Sequence, residues 1–279
     1  MSALTPGEGR RPLSAARLTA ALVQPGGLWQ RVQVVPETGS TNADLLAAAA
    51  GGTAEGEVLA AELQRAGRGR LGRSWASAPG ASLTFSVLLR PAAVPAAVLG
   101  WLPLLAGVAV ATAAGLVTAV AAQLKWPNDV LADGRKLAGI LAETRDAAVV
   151  LGIGINVSQQ QAQLPGAAAT SLLLAQAAQG QPGGPPGAPD RERLLAAVLT
   201  ELGGRYQAWT AAGGDPDACG LREEYLRLSA TVGREVRVML PGGRTLTGVA
   251  AGVDGLGRLV VRTPAGLAEV SAGDVVHVR

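Results

Sequence analysis

The sequence predicts an α+β protein in which a mixed β-sheet flanked by helices is followed by a small β-barrel. Strand-like and helix-like segments together account for most of the 279 residues. Apolar residues make up 48% of the chain, which is enough for a substantial core. From Glu235 onward, about five short alternating strands are separated by turn residues, a pattern typical of a small barrel. We expect a short N-terminal segment over 1–30, a main domain over 31–229 and a barrel domain over 230–279.

The N-terminal segment and the first half of the main domain are together predicted to contain two short helices and three strands. Ser40, Thr41 and Asn42 are residue types that commonly cap helices. Asp44 follows Thr41 by three positions, which fits the first turn of a helix that continues to Ala50. The other predicted elements are an amphipathic helix over 13–24 and strands over 32–37, 57–64 and 82–91.

Residues 91–124 carry no charge, which by length alone allows either a membrane span or a buried helix. The run is rich in alanine, glycine and threonine, and Pro95 and Pro103 interrupt it. Because alanine contributes little to membrane insertion, we expect a helix over about 97–119 that is buried against a sheet. No membrane partner is predicted.

The second half of the main domain combines strands with helices. Asp133-Gly134 favours a hairpin turn within a strand pair over 130–143, and an apolar strand follows over 148–157. Two or three helices are expected between Thr170 and Ser229. The Pro/Gly-rich stretch 180–189 is predicted to be a flexible surface loop.

Composition excludes several kinds of chemistry. The single cysteine, Cys219, excludes a disulfide framework and a thiolate metal site, and the single histidine, His277, argues against a Ser-His-Asp triad or a histidine-based zinc site. We predict no protein-bound metal site.

The net charge of +3 does not demand a nucleic-acid partner. The N-terminus lacks the apolar run of a signal peptide, so a cytoplasmic location is expected.

Residues 66–75, AGRGRLGRSW, alternate glycine with arginine. The stretch formally matches both the G-x-G-x-x-G dinucleotide fingerprint and, with arginine for lysine, a P-loop. Both motifs require a following helix, whereas Pro79 and Gly80 here precede a strand. A strand–loop–strand connection remains. Its guanidinium groups could recognise phosphate, or they could form an ordinary solvated basic surface.

Three further motifs are weak when taken singly. KWPND (125–129) places an amide and a carboxylate at a tight turn, which is also an ordinary capped turn. RKLAGIL (135–141) puts a lysine and a glycine on one strand, and GIGIN (152–156) alternates glycines in an apolar strand. Glycines in strands often mark places where a ligand approaches the backbone. The alternative is an exposed lysine on an ordinary strand.

In combination, these motifs resemble the biotin–protein ligases of the monofunctional type. The resemblance covers about residues 30–279 and includes the small C-terminal β-domain. It implies a class II synthetase-like catalytic core followed by an SH3-like barrel. The matching strings, in chain order, are STN (40–42), Q-x-AGRGRxGRxW (64–75), KWPND (125–129), KLAGIL (136–141) and GIGIN (152–156).

The resemblance implies an ATP-dependent, AMP-forming ligase. Members of this family join biotin and ATP, with Mg²⁺, to give biotinyl-5′-AMP, and then biotinylate one lysine of a biotin carboxyl carrier protein such as that of acetyl-CoA carboxylase. The arginine loop would then bind the ATP phosphates and afterwards cover the adenylate. A homodimer is compatible with the sequence.

Site residues follow from the resemblance by matching position. Lys136, Arg68 and Asp129 would be catalytic, with Lys136 between the biotin carboxylate and the α-phosphate. The residues implied in biotin binding are Ser40, Thr41, Asn42, Gln64, Arg68, Gly69, Arg70, Lys136, Gly139 and Gly154. Those implied in nucleotide binding are Arg70, Arg73, Trp75, Asn128 and Asn156. Asn128 and Asp129 could position Mg²⁺ or the nucleotide, or orient the acceptor lysine.

Some members of the family are also repressors and carry roughly sixty residues of winged helix-turn-helix before the core, whereas about thirty residues precede it here. We therefore expect no DNA partner. A lipoate-type acyl ligase with the same fold is the second enzyme hypothesis. A nucleic-acid-binding protein is the third, but it should interleave aromatic with basic residues, and aromatics are only 3% of this chain.

Overall fold

Seven strands form the main sheet in the computed structural model, which describes residues 11–76, 78–180, 189–240 and 242–278. The strands are β1 Arg31–Thr38, β2 Glu57–Gln64, β3 Ser82–Leu89, β4 Gln123–Lys125, β5 Asp129–Ala132, β6 Arg135–Arg145 and β7 Ala148–Asn156. They lie in the order β1-β2-β3-β7-β6-β5-β4. Strands β1 and β2 are parallel and the other neighbours are antiparallel, so the predicted mixed sheet is confirmed.

The helices pack around this sheet. They are α1 Ala15–Leu22, α2 Thr41–Ala50, α3 Trp101–Thr118, α4 Leu172–Ala178, α5 Arg191–Ala211 and α6 Leu221–Leu228. The start of α2 is capped as predicted, because the Ser40 hydroxyl accepts a hydrogen bond from the Ala43 N–H. Residues 181–188 of the predicted Pro/Gly-rich surface loop lie outside the described residues.

Helix α3 is the centre of the hydrophobic core. It is the one helix of the described residues that is long and apolar enough to cross a membrane, yet most of its surface is buried inside the protein. A side chain at Gly107 would lie 3.3 Å from Leu124, so the helix backbone lies close to the sheet. The expected buried helix is confirmed. The helix begins at Trp101, which places Pro103 in its first turn. Proline is tolerated there because a first-turn N–H has no partner within the helix.

Five antiparallel strands form the second sheet, as the sequence predicted. They are β8 Glu235–Met239, β9 Thr245–Val253, β10 Leu259–Thr263, β11 Gly266–Val270 and β12 Asp274–His277. Their order is β11-β10-β9-β8-β12. The domain boundary at 229/230 stays a prediction.

The turn between β9 and β10 joins the second sheet to the first. The indole N–H of Trp101 donates to the Gly255 carbonyl at 3.0 Å, and that of Trp126 donates to the Gly257 carbonyl at 3.1 Å. Gly100 lies against the same turn, where an added Cβ would be 2.6 Å from the Leu256 oxygen. These contacts bring β12 beside the main sheet, so the two sheets can build one site.

The contact at Gly100 should depend on the missing side chain. Gly100→Ala is expected to lower the free energy of unfolding by about 1–3 kcal/mol, because backbone must shift to admit the methyl group. Gly204→Ala is the matched control: it lies in α5 with nothing within 4 Å of an added Cβ. It should raise the stability by up to about 1 kcal/mol, because alanine favours helix. Urea unfolding measures both, and changes of the same sign would contradict the prediction.

Candidate active site

A cavity of about 260 Å³ opens where the main sheet meets β12. Its walls come from the start of α2, the arginine loop (66–75), the turn 125–129, strands β6 and β7, and β12. All of the sequence-predicted site residues except Asn156 line it: Ser40, Thr41, Asn42, Gln64, Arg68, Gly69, Arg70, Arg73, Trp75, Asn128, Asp129, Lys136, Gly139 and Gly154. The fold thus gathers motifs that are far apart in the sequence.

Polar side chains on the cavity floor form a directed chain of hydrogen bonds. The Thr41 N–H donates to Gln64 Oε1 at 2.9 Å. The Thr41 hydroxyl lies 2.7 Å from the Ser86 hydroxyl, which donates to Asn42 Oδ1 at 2.6 Å. The Asn42 amide in turn donates to Glu143 at 2.8 Å. These hydrogen bonds restrict the orientations of the amide and hydroxyl groups on the floor.

Gly152 makes room for this floor. A Cβ at Gly152 would lie 2.2 Å from Asn42 Oδ1, so only glycine allows the amide to lie flat on β7. Ser86 is opposite Gly152 in the sheet, and Leu141 is opposite it on the other side. Asn42 therefore lies across three adjacent strands.

The arginine loop is a tight strand–loop–strand turn, as the sequence predicted. The Gly69 N–H donates to the Arg73 carbonyl at 2.7 Å, and the Trp75 N–H donates to the Gly67 carbonyl at 2.8 Å. A Cβ at Gly67 would lie 2.4 Å from the Trp75 oxygen, which explains the glycine there. The closed turn leaves its arginine side chains pointing in several directions.

Each arginine that lines the cavity contacts a group of a neighbouring element. Arg68 pairs with Glu143 at 3.2 Å, and Arg73 pairs with Asp274 of β12. Arg70 donates to Asn128 Oδ1 at 3.1 Å and to the Gly273 carbonyl at 3.5 Å. Burial lowers the pKa of Arg70, and the nearby carboxylates oppose this shift. An arginine still stays protonated, so the site holds a partly buried cation.

The turn 125–129 positions two cations. The Asn128 amide donates to the Ile140 carbonyl at 2.8 Å, which turns its oxygen toward Arg70. The Asp129 carboxylate lies 2.6 Å from the ammonium group of Lys136. Lys136 is only half-buried, with 37% of its side chain exposed, so its charge can also reach a ligand in the cavity.

Trp75 lies across the glycines of β6 and β7. An added Cβ at Gly154 would be 2.4 Å from the Trp75 ring, and one at Gly139 would be 3.3 Å from both Trp75 and Lys136. The Trp75 indole nitrogen is buried and has no hydrogen-bond partner among the described residues. Asn156 is buried beside the cavity, where its amide donates to the Thr170 carbonyl at 2.9 Å. Its oxygen accepts from Gln159 at 3.0 Å.

Sequence reasoning missed several residues of this site. Ser86 and Glu143 belong to the floor network, Gly152 makes space for it, and Lys125 and Asp274 line the cavity. The alternation of Ser82, Thr84 and Ser86 with apolar residues in the strand SLTFSVLL was the available signal for Ser86. Asp274 gave no such signal, because its role depends on the packing of the second sheet.

Family comparisons match both parts of the chain. The model of the biotin/lipoate A/B protein ligase family matches residues 36–159, which include most of the cavity wall. The model of the biotin protein ligase C-terminal domain matches residues 231–278, which include the second sheet.

Individual relatives of the chain are also biotin protein ligases. The chain is 45% identical to the biotin--[acetyl-CoA-carboxylase] ligase of Mycobacterium tuberculosis over 97% of both chains. It is 33% identical to the bifunctional ligase/repressor BirA of Escherichia coli, over 82% of this chain and 68% of that protein. A biotin protein ligase from Aquifex aeolicus, solved in complex with biotin and ATP, is 28% identical with a TM-score of 0.75, covering 90% of this chain and 100% of that one.

The packing of Trp75 on Gly154 can be tested directly. In Gly154→Ala the new methyl group would lie 2.4 Å from the Trp75 ring, so the indole must leave the strand. We expect a red shift of tryptophan fluorescence, because the ring moves into water. The shift should vanish when the same change is made in a Trp75→Phe background. Gly252→Ala, with nothing within 4 Å, is the control. An unshifted spectrum would show that Trp75 does not lie there.

Proposed function

Because this chain belongs to the biotin protein ligase family, we propose that it joins biotin to ATP and transfers the biotinyl group to a lysine of a carrier protein. The single observation that carries the proposal is the meeting of a polar floor and a cluster of cations in one cavity. Biotin offers a ureido ring at one end and a carboxylate at the other, and ATP brings phosphates. The cavity has groups that match each of these parts.

The floor is proposed to bind the ureido ring. A ureido group has one carbonyl acceptor and two N–H donors, so it needs both donors and acceptors around it. The Thr41 N–H donates to the Gln64 amide oxygen, so the Gln64 N–H₂ group points away from Thr41. Asn42 Oδ1 accepts from Ser86 and can accept a second hydrogen bond. The residues proposed to bind this ring are Ser40, Thr41, Asn42 and Gln64.

Adenylation is proposed to depend on Lys136, Arg68 and Arg70. A carboxylate oxygen of biotin attacks the α-phosphorus, the bond from that phosphorus to the bridging oxygen breaks, and pyrophosphate leaves. Two anions must approach each other for this to occur. A lysine between them offsets their repulsion and stabilises the charge that develops in the transition state. Asp129 supports this role of Lys136 by holding its ammonium group at 2.6 Å.

Trp75, Arg73, Asn128 and Asn156 are proposed to serve the nucleotide. The Trp75 ring now covers Gly154, whereas biotin is proposed to lie against the backbone at Gly139 and Gly154. Trp75 therefore has to move when ligands bind, after which its ring can pack on the adenine. Asn128 acts through Arg70, since both ends of its amide are already hydrogen-bonded. Asn156 would need to use a remaining lone pair of its amide oxygen.

Mg²⁺ is proposed to enter with ATP. The described residues contain no group of three or more metal-ligating side chains, so the phosphates would supply most of its ligands. Mg²⁺ in such sites uses one or two carboxylates besides the phosphates, and Asp129 and Asp274 both line the cavity. The ion would neutralise phosphate charge as pyrophosphate leaves.

Transfer is proposed to use an acceptor protein as the second substrate. The amine of the acceptor lysine attacks the biotinyl carbonyl, AMP leaves, and the amine loses a proton. Asp129 lies at the cavity wall and could take that proton or orient the amine. The acceptor is a biotin carboxyl carrier protein, and acetyl-CoA carboxylase is its proposed source because the Mycobacterium tuberculosis relative is named for that substrate.

ATP–pyrophosphate exchange tests the proposal. Biotin, lipoate and octanoate are supplied separately with ATP and Mg²⁺, and exchange is expected with biotin alone. The biotin/lipoate family model makes lipoate the necessary comparison. Exchange with lipoate but not biotin would overturn the proposed substrate, and exchange with none of them would overturn the proposed activity.

Lys136→Ala should slow adenylate formation by about a hundredfold to a thousandfold, which is the range for losing one group that stabilises transition-state charge. The fold should be retained, because an ion pair at this exposure adds little stability. Single-turnover formation of biotinyl-AMP measures the rate, and circular dichroism checks the fold. Lys136→Arg, which keeps the charge, should lose less. Adenylate formation by Lys136→Ala at the wild-type rate would contradict the assignment.

A further inference from the structure

Glu143 lies where the cavity floor meets the arginine loop. Its Oε2 accepts a hydrogen bond from the Asn42 amide at 2.8 Å and another from the Arg68 guanidinium at 3.2 Å. The side chain is 26% exposed, so the carboxylate is partly shielded from water. One carboxylate oxygen thus touches a residue of the proposed ureido site and a residue of the loop that covers it.

Glu143 determines which way Asn42 points. The two ends of an asparagine amide have nearly the same shape, so neighbouring donors and acceptors decide its orientation. An ionised carboxylate only accepts hydrogen bonds, and the Asn42 N–H₂ group therefore faces Glu143. This leaves Oδ1 of Asn42, a residue that lines the cavity, facing the Ser86 hydroxyl. The Leu141 carbonyl, at 3.3 Å from the same N–H₂ group, supports this orientation more weakly.

Glu143 also holds the loop. Within its own loop, Arg68 forms an isolated β-bridge with Ser74 through the backbone. Its side chain reaches across to β6 to pair with Glu143. With 46% of the Arg68 side chain exposed, the ion pair is modest in strength but sets where the guanidinium lies.

We propose that Glu143 is a positioning residue of the ligase reaction, orienting Asn42 for the ureido ring and holding Arg68 over the bound ligand. This inference rests on the proposed function. It means that a single carboxylate links two properties that would otherwise be separate: the affinity for biotin, and the time for which the loop retains the reactive biotinyl-adenylate.

Removing the carboxylate tests the first property. Glu143→Leu leaves the Asn42 N–H₂ group without its main partner, and the biotin KM is expected to rise about tenfold, the size of effect that follows an unsatisfied buried donor. The KM for ATP should change less than the KM for biotin. In an Asn42→Ala background, Glu143→Leu should raise the biotin KM no further, since the two residues act as one unit. An unchanged biotin KM, or additive effects, would overturn the role at Asn42.

Removing only the charge tests the second property. Glu143→Gln can still accept a hydrogen bond from Asn42, so its biotin KM should stay within about twofold of wild type. Its weaker hold on Arg68 should raise leakage of the adenylate about two- to fivefold, as expected for an ion pair of this exposure. Leakage is measured as biotinylation of a lysine-rich bystander protein. The ligase contributes few acceptors of its own, because Lys125 and Lys136 are its only lysines.

Glu37→Gln is the matched control for leakage. Glu37 pairs with Arg65 just before the same loop, but neither residue lines the cavity. It removes an exposed arginine–carboxylate pair and should leave leakage at the wild-type level. Arg70→Gly, which removes a proposed phosphate contact, serves as the positive control. Equal leakage by Glu143→Gln and Glu37→Gln would overturn the role at Arg68.

Failure of this inference is distinguishable from failure of the proposed function. A wild-type protein that forms no biotinyl-adenylate would overturn the proposed function itself. Adenylate formation by the wild type together with wild-type KM and leakage in both Glu143 variants would overturn only the role of Glu143. Circular dichroism shows whether Glu143→Leu folds, and if it does not, Glu143→Gln still decides the effect on the loop.

Discussion

The position of the Asn42 amide is the constraint on which the site depends. Asn42 is in the first turn of α2, yet its side chain lies across β3, β7 and β6, where Ser86, Gly152 and Leu141 form one row of the sheet. Ser86 donates to its oxygen, and Gly152 leaves space for it. A register shift of one residue on β7 would put Leu151 or Ile153 at this point and close the floor. The order and register of the central strands are therefore requirements of the site as well as of the core.

The arginine loop also depends on distant elements, which set where its side chains point. Gly67 lets the two ends of the loop lie closer than a side chain would permit, but the turn alone does not decide where the guanidinium groups point. Arg68, Arg70 and Arg73 are held by three separate elements: β6, the turn 125–129 and β12. Since β12 belongs to the second sheet, that sheet forms part of the site. The contacts of Trp101 and Trp126 with the β9–β10 turn keep it in place.

The sequence predicted the parts of the site whose residue types carry the chemistry. Clustered arginines, a lysine beside a strand glycine and a helix-capping Ser-Thr-Asn are recognisable without a fold. Glu143 was not predicted, and Gly152 was noted only as a strand glycine of GIGIN, because the roles of both come from Asn42, which lies about a hundred residues earlier in the chain. The sequence pattern placed Asn156 at the end of an apolar strand, but only packing decides that its amide turns toward Thr170. Side-chain direction at strand ends depends on tertiary contacts that no local pattern contains.

Three cations that line the cavity have carboxylate partners, and electrostatics explains why. Arg68, Lys136 and Arg73 each pair with a carboxylate, namely Glu143, Asp129 and Asp274. Unpaired cations in a partly buried site would repel one another and lose hydration. In the proposed reaction, the biotin carboxylate and the phosphates share these cations with the carboxylates that already position them. Each cation then faces two anions while the ligands are bound, and its carboxylate partner alone balances its charge when AMP and the biotinylated product leave.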